Sequence, residues 1–272
     1  MSDFLKTMAD ASRARAEPLP ASVPAAALDR PLHALRLGDF DLVAEIKERS
    51  PAEGELASGA GPRGERARQY AGAGAAAISV LTEPSRFDGE LAHLDEVASL
   101  VSDLGVPVMR KDFLVDVRQV VEARVHGASG VLLIAAMLDA ATLGNMLDCA
   151  LEQQMFVLLE AFDEEDLGRI AGLLQLSRYA DAAAGNRLLV GVNTRNLRTL
   201  AVDTGRLARL AGMLPAGARA VAESGLATGR DAAAVAKLGY RLALVGTALM
   251  RSPDPAGLVA DMLHSGSRAF AA

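Results

Sequence analysis

A (β/α)8 barrel is the fold this sequence predicts, and three observations predict it. Short runs rich in Val, Ile and Leu recur eight times, at 41–46, 76–81, 106–109, 130–134, 155–159, 188–192, 219–222 and 241–245. They are apolar throughout rather than alternating, as strands of a parallel sheet covered on both faces must be. Between them lie segments whose apolar residues recur three and four apart, at 92–104, 117–126, 138–153, 164–179, 204–213 and 229–239. That is the period of an amphipathic helix. Eight such units in a chain of 272 residues match a barrel of about 250 residues. An open doubly wound sheet is the alternative, but its phosphate-binding glycines must follow a strand and open a helix. Gly72-Ala73-Gly74-Ala75-Ala76-Ala77 precedes a strand instead, and reads as a helix stop and turn.

Composition narrows the functions. With 51% hydrophobic and 23% charged residues, the chain can build a large core. A net charge of -6 makes the chain a poor candidate for a general nucleic-acid coat but leaves room for a local basic pocket that holds a small anion. The single Cys149 permits neither an intramolecular disulfide nor a Cys-rich zinc site. His33, His93, His126 and His264 avoid the strand ends, which argues against a Ser-His-Asp triad or a His-bound metal. No run reaches the roughly 20 apolar residues of a membrane span. Lys6, Asp10, Arg13, Arg15 and Glu17 interrupt any signal-peptide core. The expectation is a cytoplasmic enzyme, monomeric or weakly homo-oligomeric, with no membrane or nucleic-acid partner. Residues 1–40, with Pro18, Pro20, Pro24 and Pro31, read as an N-terminal extension that packs on the barrel, or as a partly disordered tail. Residues 41–272 read as one catalytic domain.

Function in such a barrel sits at the carboxyl ends of the strands, and there the sequence turns polar. Strand one runs into Glu45-Ile46-Lys47, with Glu45 and Lys47 on one side by period-two alternation. Strand three ends in Arg110-Lys111-Asp112-Phe113, strand five in Glu160, and strand six in Asn193-Thr194-Arg195-Asn196. Strand seven ends in Glu223-Ser224-Gly225 and strand eight in Gly246-Thr247. Each has a bland explanation: Glu45 and Lys47 as a structural ion pair, Glu223 as a loop tether, the glycines as tight turns. A ring of such groups in an apolar setting costs desolvation unless they pair or serve chemistry. Ser224-Gly225 and Gly246-Thr247 stand on the two final strands, where barrels commonly bind phosphate. The acidic run Asp163-Glu164-Glu165-Asp166 suits a helix start. Cys149 reads as a small core residue in a helix, and 54–64 as a mobile first loop without the lysine of a nucleotide P-loop.

These segments resemble one family. Leu42-Val43-Ala44-Glu45-Ile46-Lys47 with Ser50-Pro51 is similar to the first-strand motif of indole-3-glycerol-phosphate synthases. So are Ile78-Ser79-Val80-Leu81-Thr82-Glu83 with Phe87-Asp88-Gly89, and Pro107-Val108-Met109-Arg110-Lys111-Asp112-Phe113. Gly191-Val192-Asn193-Thr194-Arg195-Asn196-Leu197, Ala222-Glu223-Ser224-Gly225 and Val245-Gly246-Thr247-Ala248-Leu249-Met250 complete the set, in the family's order from about residue 40 to 253. The resemblance implies a barrel with an N-terminal extension and no metal or organic cofactor. It implies closure of the pyrrole ring of 1-(2-carboxyphenylamino)-1-deoxyribulose 5-phosphate, with loss of CO2 and water, in tryptophan biosynthesis.

Roles follow from the same resemblance. Lys111 is implied to be the general acid and Glu160 the carboxylate that assists proton removal and dehydration. Glu45 and Lys47 are the paired first-strand groups, and Asn193 and Glu223 orient the reacting atoms. Ser50, Arg195 and Leu244 fall among the substrate-binding positions. Ser224, Gly225, Gly246 and Thr247 are implied to cradle the phosphate, and Phe87, Phe113 and Leu197 to line the pocket for the aromatic ring. Lys47 and Arg195 nearby are expected to lower the pKa of Lys111 toward working pH. Ala52 and Glu53 depart from the small hydroxyl residue and frequent lysine of the family, and 171–187 is longer than expected. These departures leave open a pathway-specialised or catalytically idle paralogue. A phosphoribosylanthranilate isomerase is a further reading on the same fold.

Overall fold

The computed structural model describes residues 3–56, 61–195, 201–203 and 205–270. Eight parallel strands close into a barrel: β1 (Asp41–Ile46), β2 (Ala77–Leu81), β3 (Val108–Lys111), β4 (Gly130–Ile134), β5 (Phe156–Ala161), β6 (Leu188–Asn193), β7 (Ala220–Glu223) and β8 (Leu242–Val245). Each pairs with its neighbours in sequence. Closure comes from β1 on β8, with Asp41 opposite Leu242 and Ala44 opposite Val245. The predicted runs match these strands to within one or two residues. The largest shift is at β3, expected at 106–109. Pro107 has no N–H to give a ladder, and only its carbonyl takes part, accepting from Ile78 N at 3.0 Å.

Alternation divides the apolar residues into two cores. Val43, Ala77, Met109, Leu132, Phe156, Leu158, Leu189, Val221 and Leu242 pack together inside the barrel. Their neighbours of opposite parity, such as Leu42, Ile78, Val131, Val157 and Val190, pack outward with the surrounding helices. This is why the runs lack polar gaps: both faces of every strand are buried. Phe156 fills the lower interior against Gly130, where any Cβ would collide with its ring.

The expected helices at 92–104, 117–126, 138–153 and 229–239 form as Leu91–Val101, Val117–Val125, Ala140–Glu152 and Gly229–Lys237. The segment expected as one helix over 164–179 is two, Glu164–Leu173 and Ser177–Ala184. Gln175 and Leu176 bond back to Gly172 and Leu173, three residues earlier, so the chain tightens and turns. The turn lets Tyr179, Ala182 and Ala183 bury in the outer core. The acidic run does start a helix, and the Asp163 side chain accepts from Asp166 N. Gly74, at φ +98, turns the chain from Arg63–Gly72 into β2, as its glycine suggests. Cys149 is half-buried against the outer core.

Residues Asp3–Ala16 form a helix that buries Leu5, Met8, Ala9 and Ala16 against the barrel. Polar ties fix it. Gln119 Nε2 donates to Ser12 Oγ at 2.9 Å, and Arg15 reaches Asp112 Oδ1 at 2.6 Å. The following stretch is held by Arg118, which donates to the Leu19 carbonyl at 3.1 Å, and by Arg124, which donates to the carbonyls of Leu28 and Arg30 at 2.6 Å.

Candidate active site

The parity that places Val43 and Met109 inside the barrel carries on toward the carboxyl ends, where the inward residues become polar. Glu45 and Lys47 follow Val43, Lys111 follows Met109, Glu160 follows Leu158, and Glu223 follows Val221. Together they line one cavity of about 430 Å3, a size that suits a small-molecule ligand. Asn193, Arg195, Ser50, Ser224, Gly225, Leu244, Gly246, Thr247, Phe87 and Phe113 line it too. Of the expected site residues, only Leu197 lies outside the described residues, as does Asn196 of the same motif. The 57–60 part of the first loop also lies outside them.

Arg110 has the opposite parity and turns away from the cavity. It is buried against Asp112 at 3.1 Å and Glu122 at 2.7 Å, and it serves the packing rather than the pocket. Asp112 is ringed by donors: Arg15, Arg110, the Thr82 hydroxyl and its neighbour's Phe113 N. These bonds hold the end of β3 from behind while Lys111 faces the cavity.

Within the cavity, Lys47 Nζ donates to Glu45 Oε1 at 2.8 Å, and Lys111 Nζ stands 3.7 Å from Glu45 Oε2. Burial alone would raise the Glu45 carboxyl, but Lys47 and Lys111 overcome it and hold the group below its ordinary value. Two glycines make room. A Cβ at Gly246 would collide with Glu45 and Lys47, and one at Gly191 with Glu223.

Lys111 corrects an expectation. Burial pushes its ammonium down, but the carboxylates of Glu45, Glu160 and Glu223 outweigh burial and Arg195, so its pKa rises above 10.5. The sequence shows the cations near Lys111. It does not show that three carboxylates from strands 1, 5 and 7 stand closer in effect.

Glu223 is only 1% exposed. Among the described residues, no donor bonds to either of its oxygens or to Glu160 Oε2. Burial, then the charge of Glu160, pushes the Glu223 carboxyl well above 4.5. The two carboxyls can bond each other only when one holds a proton. This has a stability consequence. The folded protein keeps the Glu223 proton at pH values where the unfolded chain has lost it, so the contribution of this group to stability falls as pH rises above about 4.5. Glu223→Gln removes that loss. Its melting temperature at pH 8 is expected to exceed that of the parent by about 3 °C, with a smaller gain at pH 5. A thermal scan at both pH values checks this, and equal gains at the two would contradict it.

On the far side of the cavity, Ser224 adopts φ +69 and Gly225 φ +77. The left-handed turn at a non-glycine residue costs roughly 1 kcal/mol or more. Side-chain bonds offset it: Ser224 Oγ donates to Asn193 Oδ1 at 2.9 Å, and Thr194 Oγ1 donates to the carbonyls of Glu223 and Ser224. Asn193 Oδ1 also accepts from Arg195 N at 2.9 Å, so one amide organises the ends of β6 and β7.

The sequence reading missed several lining residues. Phe4, from the N-terminal helix, enters the cavity and meets Phe113 edge-on at 5.8 Å, while Phe87 lies 6.1 Å from the same ring. Nothing in a polar N-terminal segment marks Phe4 as a pocket residue. Arg251 also lines the cavity. Its spacing of four from Thr247 is the signal that could have revealed it, because residues four apart share a helix face.

A closed parallel barrel with a lysine ammonium and buried carboxylates converging on one cavity at its carboxyl end has the form of a barrel enzyme's active site. The comparisons narrow the class. The family model described as indole-3-glycerol phosphate synthase matches residues 17–262. The chain is 45% identical over 236 residues to the indole-3-glycerol phosphate synthase of Parafrankia sp. (strain EAN1pec), covering 87% of this chain and 82% of the relative. It is 42% identical over 255 residues to that of Mycolicibacterium gilvum (strain PYR-GCK), covering 94% and 86%. The chain belongs to the indole-3-glycerol phosphate synthase family, whose members are decarboxylating carbon–carbon lyases of tryptophan biosynthesis. Among solved structures, 3-hexulose-6-phosphate synthase from Salmonella typhimurium shares the fold with a TM-score of 0.62 at 16% identity, over 85% of this chain and 99% of that one.

Proposed function

We propose that this chain converts 1-(2-carboxyphenylamino)-1-deoxyribulose 5-phosphate into indole-3-glycerol phosphate, CO2 and water, with Lys111 as general acid and Glu160 as general base. The observation that carries this reading is that Lys111, Glu160 and the Glu45–Lys47 pair open into one cavity with two sides of different character. Phe4, Phe87 and Phe113 offer an apolar wall for the aromatic ring. Ser224, Gly225, Gly246 and Thr247 offer hydroxyl and backbone donors for the phosphate. A ligand spanning the cavity brings its ketone between these ends, beside Lys111.

The steps balance on these groups. The carboxylate-bearing ring carbon attacks the ketone carbon, and Lys111 delivers a proton to the ketone oxygen as it becomes a hydroxyl. Loss of CO2 then restores the aromatic ring. The hydroxyl leaves as water with a proton from an acid of the site. Glu160 takes the proton from the adjacent carbon, completing the indole double bond. An acid and a base at separate positions are what this sequence of transfers needs. Glu45 keeps Lys111 charged, so the donor is loaded at neutral pH. Lys47 and Arg195 supply positive charge for the substrate's carboxylate, against the acidic total of the chain.

No helix among the described residues is long and apolar enough to cross a membrane. We place the protein in the cytoplasm, which suits its unpaired Cys149. The test is direct: purified protein given the carboxyphenylamino-deoxyribulose phosphate should release CO2 and form a product with indole absorbance. A folded protein that does neither overturns the reading.

A further inference from the structure

The cavity's phosphate side holds an ion pair that the chemistry above does not use. Glu53, in the first loop, meets Arg251 through Oε2 and Nη2 at 2.8 Å. Both side chains line the cavity. Arg251 ends the short helix Thr247–Arg251, one turn beyond Thr247, and Met250 N bonds back to the Gly246 carbonyl at 2.9 Å. Thr247 and Arg251 therefore share a face, and both line the cavity together with Gly246.

Other contacts set where Glu53 can reach. Arg49–Ser50 and Gly54–Glu55 pair as a hairpin, and Glu53 N donates to the Ser50 carbonyl at 3.2 Å. Leu56, just beyond, buries against Met250. The loop is thus anchored on the same short helix that carries Arg251. Another cation near this turn, Lys47, is paired with Glu45 at 2.8 Å. Arg251 is more than half exposed and Glu53 about a third, so their pairing is a weak, exchangeable one.

We propose that Glu53 is an affinity-setting residue: its carboxylate occupies Arg251 as an internal anion and competes with the phosphate group of the ligand for that guanidinium. This rests on the placement of the phosphate at Ser224, Gly225, Gly246 and Thr247. Arginine takes phosphate oxygens through the same N–H donors that it offers a carboxylate, so the incoming ligand can exchange for Glu53. Substrate and product both carry the phosphate. The competition therefore weakens both alike and changes KM and product retention rather than the ring-closing step. An exposed pair can withhold only a modest share of affinity, worth about threefold.

Inorganic phosphate is the probe, measured as an inhibitor of indole formation in the parent, Glu53→Gln, Arg251→Met and the double variant. Glu53→Gln is expected to lower the inhibition constant of phosphate and the substrate KM by about threefold. The single-turnover rate at saturation should not change. Arg251→Met should raise the inhibition constant, and adding Glu53→Gln to it should then change nothing. An equal gain from Glu53→Gln with and without Arg251 would mean plain repulsion and overturn the proposal, as would no gain in either background. If phosphate competes with substrate but ignores Glu53, the phosphate side stands and only this inference falls. If phosphate does not compete with substrate in the parent, the phosphate placement fails and takes the inference with it.

Discussion

Lys111→Met is expected to lower kcat for indole formation by about 10²–10⁴-fold, the usual contribution of a positioned general acid. Methionine, one atom shorter and likewise unbranched, keeps most of the side-chain packing and removes the proton donor and its charge. The ring-closing attack would leave an alkoxide on the former ketone oxygen with no ammonium beside it. Phosphate-dependent binding should persist, because the phosphate contacts lie on other strands. The charge has a second consequence. Lys111 is held above its ordinary value of 10.5, so it contributes stability at every pH below that, and loses it only as pH rises through the folded value. The variant therefore forfeits that contribution at neutral pH and should melt earlier than the parent. Steady-state kinetics, calorimetric titration with phosphate and a thermal scan check the three parts. Turnover near the parent's rate would remove Lys111 from its role.

Glu160→Gln is expected to lower kcat by about 10²–10³-fold, with a different signature. Glu160 acts after the carbon–carbon bond has formed, so ring closure and decarboxylation should outlast it. In a single turnover, CO2 should appear close to the parent's rate while indole absorbance lags. Lys111→Met should delay both together. A Glu160→Gln protein in which CO2 and indole slow equally would place the base elsewhere, with Glu223 the neighbouring candidate. Glu160 is the first choice over Glu223 because burial and the neighbouring charge push the Glu223 carboxyl well above 4.5 and favour its protonated form, a poorer proton acceptor.

Much of this site was legible because two simple periods generate it. Period two put Glu45 and Lys47 on one side of a strand, and an eight-fold strand–helix rhythm put the polar ends at one rim. The barrel, the cavity membership of Glu160 and Glu223, and the glycines at 225 and 246 all follow from those periods and the family motifs. What escaped is what arises between distant segments. The upward shift at Lys111 depends on carboxylates from three other strands. Phe4 enters from a helix whose own sequence is polar and carries no barrel rhythm. The break between Leu173 and Ser177 has no proline to announce it, and the apolar spacing runs through it. Arg110 shows the reverse case: adjacent to Lys111 and equally charged, it was grouped with the rim, yet one step along a strand reverses direction and sends it outward.

The tie between Arg15 and Asp112 spans 97 positions of chain. A ribosome adding about 5–20 residues per second leaves that arginine waiting roughly 5–20 s for its carboxylate. A helix of 14 residues is marginal by itself in water, so this helix cannot settle before the strands it packs against. The aromatic wall that Phe4 completes must then form late, after the third strand has emerged and Asp112 is available to anchor the segment. Nascent chains halted before that point should show the amino-terminal segment open to protease, and longer ones should protect it.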